Sequence, residues 1–210
     1  MTATEELLSD EEIERAVEAI DNHHIQSLHA LLTNSAQPDL SQVPEWAHYA
    51  CSAVDGADYS TFADSQDFKN LSSEVKEIFN GDKGQTQGSI SKNGGKTQQL
   101  IQSYSDGGMT DEQLEAAINE KDSETVNEVK GTLEKSKPKV IAEAKKVKDS
   151  KKQKQIIAGR AKENGGIAKH IQEIVDHVLD WVKKTIDEIG KWFKDLATRL
   201  ANWFKNTFGI

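Results

Sequence analysis

An eleven-residue repeat fills the last forty residues of the chain and constrains its fold more than any other feature. From Ile171 to Ile210 the sequence reads IQEIVDHVLDW, VKKTIDEIGKW, FKDLATRLANW and FKNTFGI. Three successive blocks end in tryptophan, and all four begin with an apolar residue. Eleven residues make three helical turns of about 3.67 residues, so equivalent positions stack along one line of a straight helix. The repeat therefore predicts a long amphipathic helix over residues 167–210.

The apolar positions of this helix form one continuous face about 160° wide, with the tryptophans at its edge. A broad apolar face bordered by indole rings is typical of helices that lie in a lipid interface. We expect this face to bind an anionic membrane or lipid surface, with Lys183, Lys194 and Lys205 on one flank contacting headgroups. The predicted membrane or partner face consists of Ile171, Val175, Val178, Trp181, Val182, Ile186, Ile189, Trp192, Phe193, Leu196, Leu200, Trp203, Phe204 and Phe208.

The same face fits a second class of function. A period of about 3.67 residues per turn also suits a straight helix that packs against protein. In this alternative, the chain is a soluble interaction or structural protein whose C-terminal helix packs on its own body or forms a homo-oligomer. Because large apolar patches are rarely left in water, either lipid or protein has to cover the face.

Charge is distributed unevenly along the chain. Residues 1–129 carry 25 acidic and seven basic side chains, whereas residues 130–170 carry four acidic and 13 basic ones. This change indicates an acidic helical domain over 1–136, a basic helix with an Asn-Gly-Gly hinge over 137–166, and the repeat after it. A basic segment beside an amphipathic helix favours anionic headgroups. Nucleic acid is a poor candidate partner, because the basic segment has no aromatic residue for base stacking and the body is acidic.

Helix signals dominate the first 160 residues and predict an all-α fold. Capping boxes begin at Ser9 and Thr110, and only three prolines interrupt the chain. The stretch DKGQTQGSISKNGGK, residues 82–96, is rich in glycine and polar residues and is predicted to be a loop. Ser136 and Pro138 are predicted to begin the long basic helix.

Parts of the acidic region resemble parvalbumin-like EF-hand proteins. LSDEEIERAVEA is similar to the opening helix of that family, and EVKEIFNGDKGQTQGSISKNGGKTQQLIQSY is similar to a helix, calcium loop and helix. MTDEQLEAAINEKDSETVNEV resembles the next hand with a shortened loop. The resemblance covers about residues 8–136 and implies an EF-hand-derived helical domain. The C-terminal repeat resembles those of apolipoproteins, perilipins and synucleins in its period alone.

The predicted calcium loop lacks the ligands that its chemistry requires. Aligning Gly88 with the invariant glycine puts Lys83 at the first ligand position and Gly94 where a bidentate glutamate should stand. Gln85 and Gln87 occupy two further ligand positions, so every carboxylate is missing. We therefore predict a calcium-independent protein with no metal site.

No motif in the sequence predicts an enzyme or a cofactor. The glycine-rich stretches lack the strand and the complete spacing of a phosphate-binding loop, and no nucleophile-elbow pattern occurs. His48 and Cys51 have a metal-like spacing, but no second ligand pair accompanies them. The chain is expected to be a non-enzymatic cytoplasmic protein that associates with the periphery of a membrane. Self-association there would perturb the bilayer, as in a toxin or defence protein.

Overall fold

The computed structural model describes residues 6–33, 38–51 and 69–161, and this part of the chain contains helices and no strand. The predicted all-α fold is confirmed. The predicted amphipathic helix over 167–210 lies outside the described residues. The described helices are α1 (Asp10–Thr33), α2 (His48–Cys51, preceded by a 3₁₀ helix over Glu45–Ala47), α3 (Ser73–Ser105), α4 (Asp111–Lys146) and α5 (150–161).

Helix α1 begins at the capping box that the sequence predicts. The Ser9 backbone N–H donates to the Glu12 carboxylate at 2.7 Å, and the Glu12 N–H donates back to the Ser9 hydroxyl at 3.3 Å. Ile13, Val17 and Ile20 then follow at helical spacing and are fully buried. This face packs α1 against α4.

The predicted loop over residues 82–96 is wrong, because α3 runs unbroken through that glycine-rich stretch. The inward positions continue at helical spacing, but apart from Ile90 they hold the polar side chains of Asp82, Thr86 and Asn93. Polar residues and glycines lower the local helix propensity, yet packing against α4 outweighs that preference. A helix therefore stands where the EF-hand resemblance implies a calcium loop, and the resemblance itself stays a prediction.

The predicted start of a separate helix at Ser136 and Pro138 is wrong, because α4 continues through both residues to Lys146. Pro138 has no N–H to donate to the carbonyl of Glu134, four residues earlier. Both residues are exposed, so water can hydrogen-bond that carbonyl and the helix tolerates the proline. The predicted boundary between the acidic domain (1–136) and the basic segment (137–166) therefore falls inside the continuous helix α4.

The long helices α3 and α4 form an antiparallel hairpin. In the turn between them, Gly107 has a φ of 75°, a backbone conformation that residues with a Cβ rarely adopt. Helix α1 runs antiparallel to α4, with Asp10 and Glu14 pairing with Lys145 at 3.2 Å and 2.7 Å. Helix α5 enters the core beside them, where Ile157 is fully buried. The apolar core therefore lies at the end of the hairpin that α1 and α5 cover.

Buried and half-buried positions of the hairpin recur every eleven residues, which is also the period of the C-terminal repeat. These rows are Val75, Thr86 and Thr97; Phe79, Ile90 and Ile101; Leu114, Thr125 and Ser136; and Ile118, Val129 and Val140. A period of about 3.67 residues per turn keeps the contact surface on one side of a straight helix. The body is therefore built on the same straight-helix geometry that the repeat predicts.

The helical state of the glycine-rich stretch predicts that alanine will stabilise the protein. A Cβ at Gly84 or Gly95 would meet nothing within 4 Å, and both residues are exposed on α3. Replacing both by alanine should raise the free energy of unfolding by about 0.5–1 kcal/mol each, because alanine loses less backbone entropy in a helix. Urea denaturation measures this gain. Gly107→Ala is the control and should destabilise the protein; a loss of stability in the double variant would contradict the helix.

Candidate functional site

A buried arginine lies where the body meets the segment that leads to the repeat. Arg160 belongs to α5 and is 1% exposed. Its neighbours in the sequence IIAGRA are apolar or small, and Ile156, Ile157 and Ala161 are buried as well. Small side chains let α5 approach the surrounding helices closely. An arginine in such a place needs partners for its charge and its five N–H donors.

Three helices supply those partners. Arg160 Nε and Nη2 lie 2.5 Å and 2.9 Å from the two carboxylate oxygens of Asp21 on α1, which is a bidentate pair. Arg160 Nη1 donates to Asp82 Oδ2 on α3 at 3.2 Å and to Ser136 Oγ on α4 at 3.0 Å. Nη2 also donates to the Leu133 carbonyl at 2.8 Å. We call Arg160, Asp21, Asp82 and Ser136 the arginine cluster.

Burial and the charge of Arg160 shift the pKa values of the two carboxyls of the cluster in opposite directions. Burial raises the pKa of Asp21, and the hydrogen bonds and charge of Arg160 act to lower it. Burial likewise raises the pKa of Asp82, against the Ser136 hydroxyl that donates to its Oδ2 at 2.5 Å and against Arg160. The cluster therefore combines two carboxyls with one guanidinium inside the core.

The arginine cluster is suited to hold helices together and not to act on a solute. Asp21 is 5% exposed and Asp82 is 7% exposed, so the polar atoms are shielded from solvent. Buried ion pairs contribute little net stability relative to apolar packing, but breaking one is costly because the other charge is left without a partner. The cluster therefore fixes the position of α5 relative to α1, α3 and α4.

His24 adjoins the cluster from α1, one turn after Asp21. It hydrogen-bonds the backbone at Ala161 of α5, and its ring centroid lies 6.3 Å from that of His23. Burial, followed by the neighbouring His23 and Arg160, lowers the pKa of His24 to about 3. The imidazole is therefore neutral near pH 7 and would carry its charge into the core if protonated.

A second polar layer lies further along the hairpin. The Asn93 amide donates to Asp122 Oδ1 at 2.9 Å, and the Thr97 hydroxyl donates to Asn93 Oδ1 at 3.2 Å. Burial raises the pKa of Asp122 to about 6, against the Asn93 hydrogen bond. Towards the surface, Lys92 pairs with Glu128 at 3.0 Å. These contacts align α3 with α4 where few apolar residues do so.

The candidate site that the sequence predicts lies wholly outside the described residues. This applies to the apolar face from Ile171 to Phe208 and to Lys183, Lys194 and Lys205. Sequence reasoning in turn missed the arginine cluster. The signal that could have found it is a single arginine inside the apolar run IIAGRA, within a segment whose other basic residues are lysines.

The histidine and cysteine pair with metal-like spacing has other partners. His48 Nε2 lies 2.8 Å from the Val43 carbonyl oxygen. Cys51 is buried, and burial raises its thiol pKa to about 12, which disfavours the thiolate that metals require. Within residues 6–33, 38–51 and 69–161, no three His, Cys, Asp or Glu side chains gather where they could hold a metal ion.

Removing the arginine should leave its partners buried without compensation. We expect Arg160→Met to lower the free energy of unfolding by about 3–5 kcal/mol. Adding Asp21→Asn should recover part of that loss, because it removes one uncompensated carboxylate. Urea denaturation of the single and double variants tests this coupling. Lys145→Met is the matched control, because the partners of Lys145 (Asp10 and Glu14) are exposed to solvent, and it should have little effect. An equally small effect of Arg160→Met would contradict the structural role of the arginine cluster.

Comparisons with protein-family models, curated proteins and solved structures give no significant match to the chain. Across the described residues, none of the helices combines the length and the apolar character needed to cross a bilayer. The repeat and the arginine cluster that precedes it are therefore the features that indicate function.

Proposed function

We propose that the chain is a non-enzymatic lipid-binding protein whose C-terminal repeat, residues 167–210, binds anionic membrane interfaces. The helical body carries the segment, and the repeat makes the contact with lipid. Accumulation of such helices would perturb the bilayer, as in a toxin or defence protein. The single observation that carries the proposal is the recurrence of tryptophan at one phase of the repeat, at residues 181, 192 and 203.

The chemistry of indole favours lipid over a protein core at these positions. An indole has a large apolar ring and an N–H group that needs a partner, so it prefers the boundary between hydrocarbon and headgroups. In the helical projection, the tryptophans fall at the edge of the apolar face, which is that boundary when the helix lies flat. Lys183, Lys194 and Lys205 lie on the opposite flank, where their stems can cover lipid and their amines can contact phosphate.

The repeat offers a large apolar surface for binding. Roughly fifteen apolar side chains, each contributing about 1.5 kcal/mol, correspond to a gross gain on the order of 20 kcal/mol. The ordering of the segment and the loss of its freedom offset much of this gain. A face of this size is rarely left in water, so the proposal assigns lipid as its cover.

The arginine cluster supports the proposal by giving the repeat a rigid base. Arg160 joins α5 to three other helices, and the described part of α5 ends at Ala161. The sequence Asn164-Gly165-Gly166 begins three residues after Ala161, before the repeat. A hinge next to a fixed anchor would let the repeat change its partner while the body keeps its fold.

One observation favours the alternative function, in which the repeat contacts protein. The body hairpin buries its residues with the same eleven-residue period, so a helix of that period can lie alongside it without losing register. In this case the repeat would pack on its own body or on a second copy, and the chain would be an interaction or structural protein.

Tryptophan fluorescence separates the two functions. Trp46 packs against the body core, so Trp46→Phe leaves the three indoles of the repeat as the reporters. Titration with phosphatidylserine vesicles should shift their emission to the blue, and added salt should reduce the shift. Phosphatidylcholine vesicles are the control for charge. Emission that is already blue in buffer and unchanged by lipid would favour the protein-packed alternative and reject lipid binding.

Charge reversal on the lysine flank should weaken lipid binding. Each lysine near an anionic surface contributes about 1 kcal/mol, so replacing Lys183, Lys194 and Lys205 by glutamate should reduce affinity on the order of 100-fold or more. Vesicle co-sedimentation measures the change. The triple Lys→Arg variant keeps the charge and should bind like the unmodified protein. Equal binding by both variants would contradict the headgroup role.

A further inference from the structure

His24 connects α1 to the last described turn of α5, and its surroundings are unusually positive for a buried imidazole. Arg160 of α5 and His23 of α1 are its electrostatic neighbours, and its ring hydrogen-bonds the backbone at Ala161. The next charged groups belong to the arginine cluster or act on it. They are Asp21 and Glu18 on α1, Asp82 on α3, and Lys137 and Lys139 on α4. In the segment 38–44, Asp39 acts on His23.

Burial, His23 and Arg160 all lower the pKa of His24, and the hydrogen bond at the Ala161 backbone opposes them as the smallest influence. At the two carboxyls, burial and the charge of Arg160 oppose each other. A proton on His24 would stand beside the Arg160 guanidinium in a site that is 8% exposed. Moving α5 away from α1 would place both cations in water. The Asp21 and Asp82 carboxyls resist this, since Arg160 bonds both of them.

We propose that protonation of His24 opens the contact between α1 and α5, so that acid frees the base of the C-terminal segment. The opening of this contact requires no lipid, whereas its role in releasing the repeat towards a membrane rests on the proposed function. An anionic membrane at about −30 mV lowers the local pH by roughly half a unit, so a target membrane would itself promote opening.

The direction of the pH effect follows from proton linkage. Burial in the closed state lowers the pKa of His24 to about 3, from its ordinary value of 6.5 in water. At His24 the open state therefore binds the proton more tightly, and the His24 contribution to the stability of the closed contact is lost as pH drops below 6.5. From pH 7 to pH 5, the His24 contribution to the opening constant grows about 25-fold. Asp21 and Asp82 act in the opposite direction because burial raises the pKa of both.

Hydrogen exchange of the full-length protein tests the opening directly. Amide exchange of the peptide covering 150–161 is measured at pH 7 and pH 5 and corrected for intrinsic rates. In the unmodified protein, protection should fall between these pH values. His24→Gln and His24→Phe should each remove a factor of about 25 from that fall, and the second variant covers the case in which glutamine disturbs packing. His29→Gln is the matched control on α1, where His29 is exposed, and should behave like the unmodified protein.

Three results of the hydrogen-exchange experiment would contradict the proposal. An unchanged or increased protection at pH 5 in the unmodified protein would overturn the proposal, as would equal losses in it and in both His24 variants. An equal loss of protection throughout α4 would mean that the whole body unfolds, which also contradicts a local opening.

Vesicle binding separates this inference from the proposed function. With phosphatidylserine vesicles, binding should strengthen from pH 7 to pH 5 in the unmodified protein, and more than in His24→Gln. If neither protein binds vesicles while the exchange result holds, the lipid function is rejected and the acid-opened contact remains. If both bind with the same pH dependence, His24 does not control the segment.

Discussion

A single buried arginine imposes the main constraint on this structure. Arg160 can enter the core only because Asp21, Asp82, Ser136 and a backbone carbonyl meet its donors there. These groups come from separate helices, so the charge is satisfied in one arrangement of the bundle. Apolar contacts alone tolerate small shifts in register, whereas a bidentate pair has a fixed geometry. The cluster therefore contributes specificity of packing more than net stability.

The same principle extends along the hairpin of α3 and α4. Its inward rows combine apolar residues such as Phe79, Ile90 and Leu133 with threonine, serine, asparagine and aspartate. Asn93 with Asp122 and Ser136 with Asp82 pair the two helices by hydrogen bonds. Each buried polar group costs free energy unless its partner is in place, so the hairpin depends on correct alignment. The buried hydrogen bonds therefore define how α3 and α4 are aligned.

This construction links the body to the proposed function. The cluster lies within a few residues of the Asn-Gly-Gly sequence. His24 places a titratable ring near Arg160, at the contact between α1 and α5. In the proposals made for this protein, anchoring and release of the repeat are therefore governed by the same group of side chains. The lipid and protein partners proposed for the repeat differ in what covers its apolar face.

Sequence patterns identified those elements whose signals are local. Capping at Ser9 and Thr110 is set by side chains three residues apart, and both capping boxes are present in the structure. The apolar residues Ile13, Val17 and Ile20, which follow the first cap at helical spacing, form the buried face of α1. The stretch over 82–96 was misjudged because all of its inward residues except Ile90 are polar, and the partners of Asp82 and Asn93 lie some thirty to fifty residues away on α4. Pro138 was misjudged because the cost of proline depends on whether the carbonyl behind it can reach water.

By itself, the sequence determined the all-α class, the helix caps and the eleven-residue period of the C-terminal segment, since each follows from neighbours within a few turns. The tertiary structure alone decided that the glycine-rich stretch is helical, that α4 passes through Pro138, and that Arg160 belongs to the core. Those outcomes depend on contacts between distant residues, such as Asp21 with Arg160 across 139 positions. Local propensity contains no information about such contacts, because the free energy of burying a polar group depends on the partner it finds.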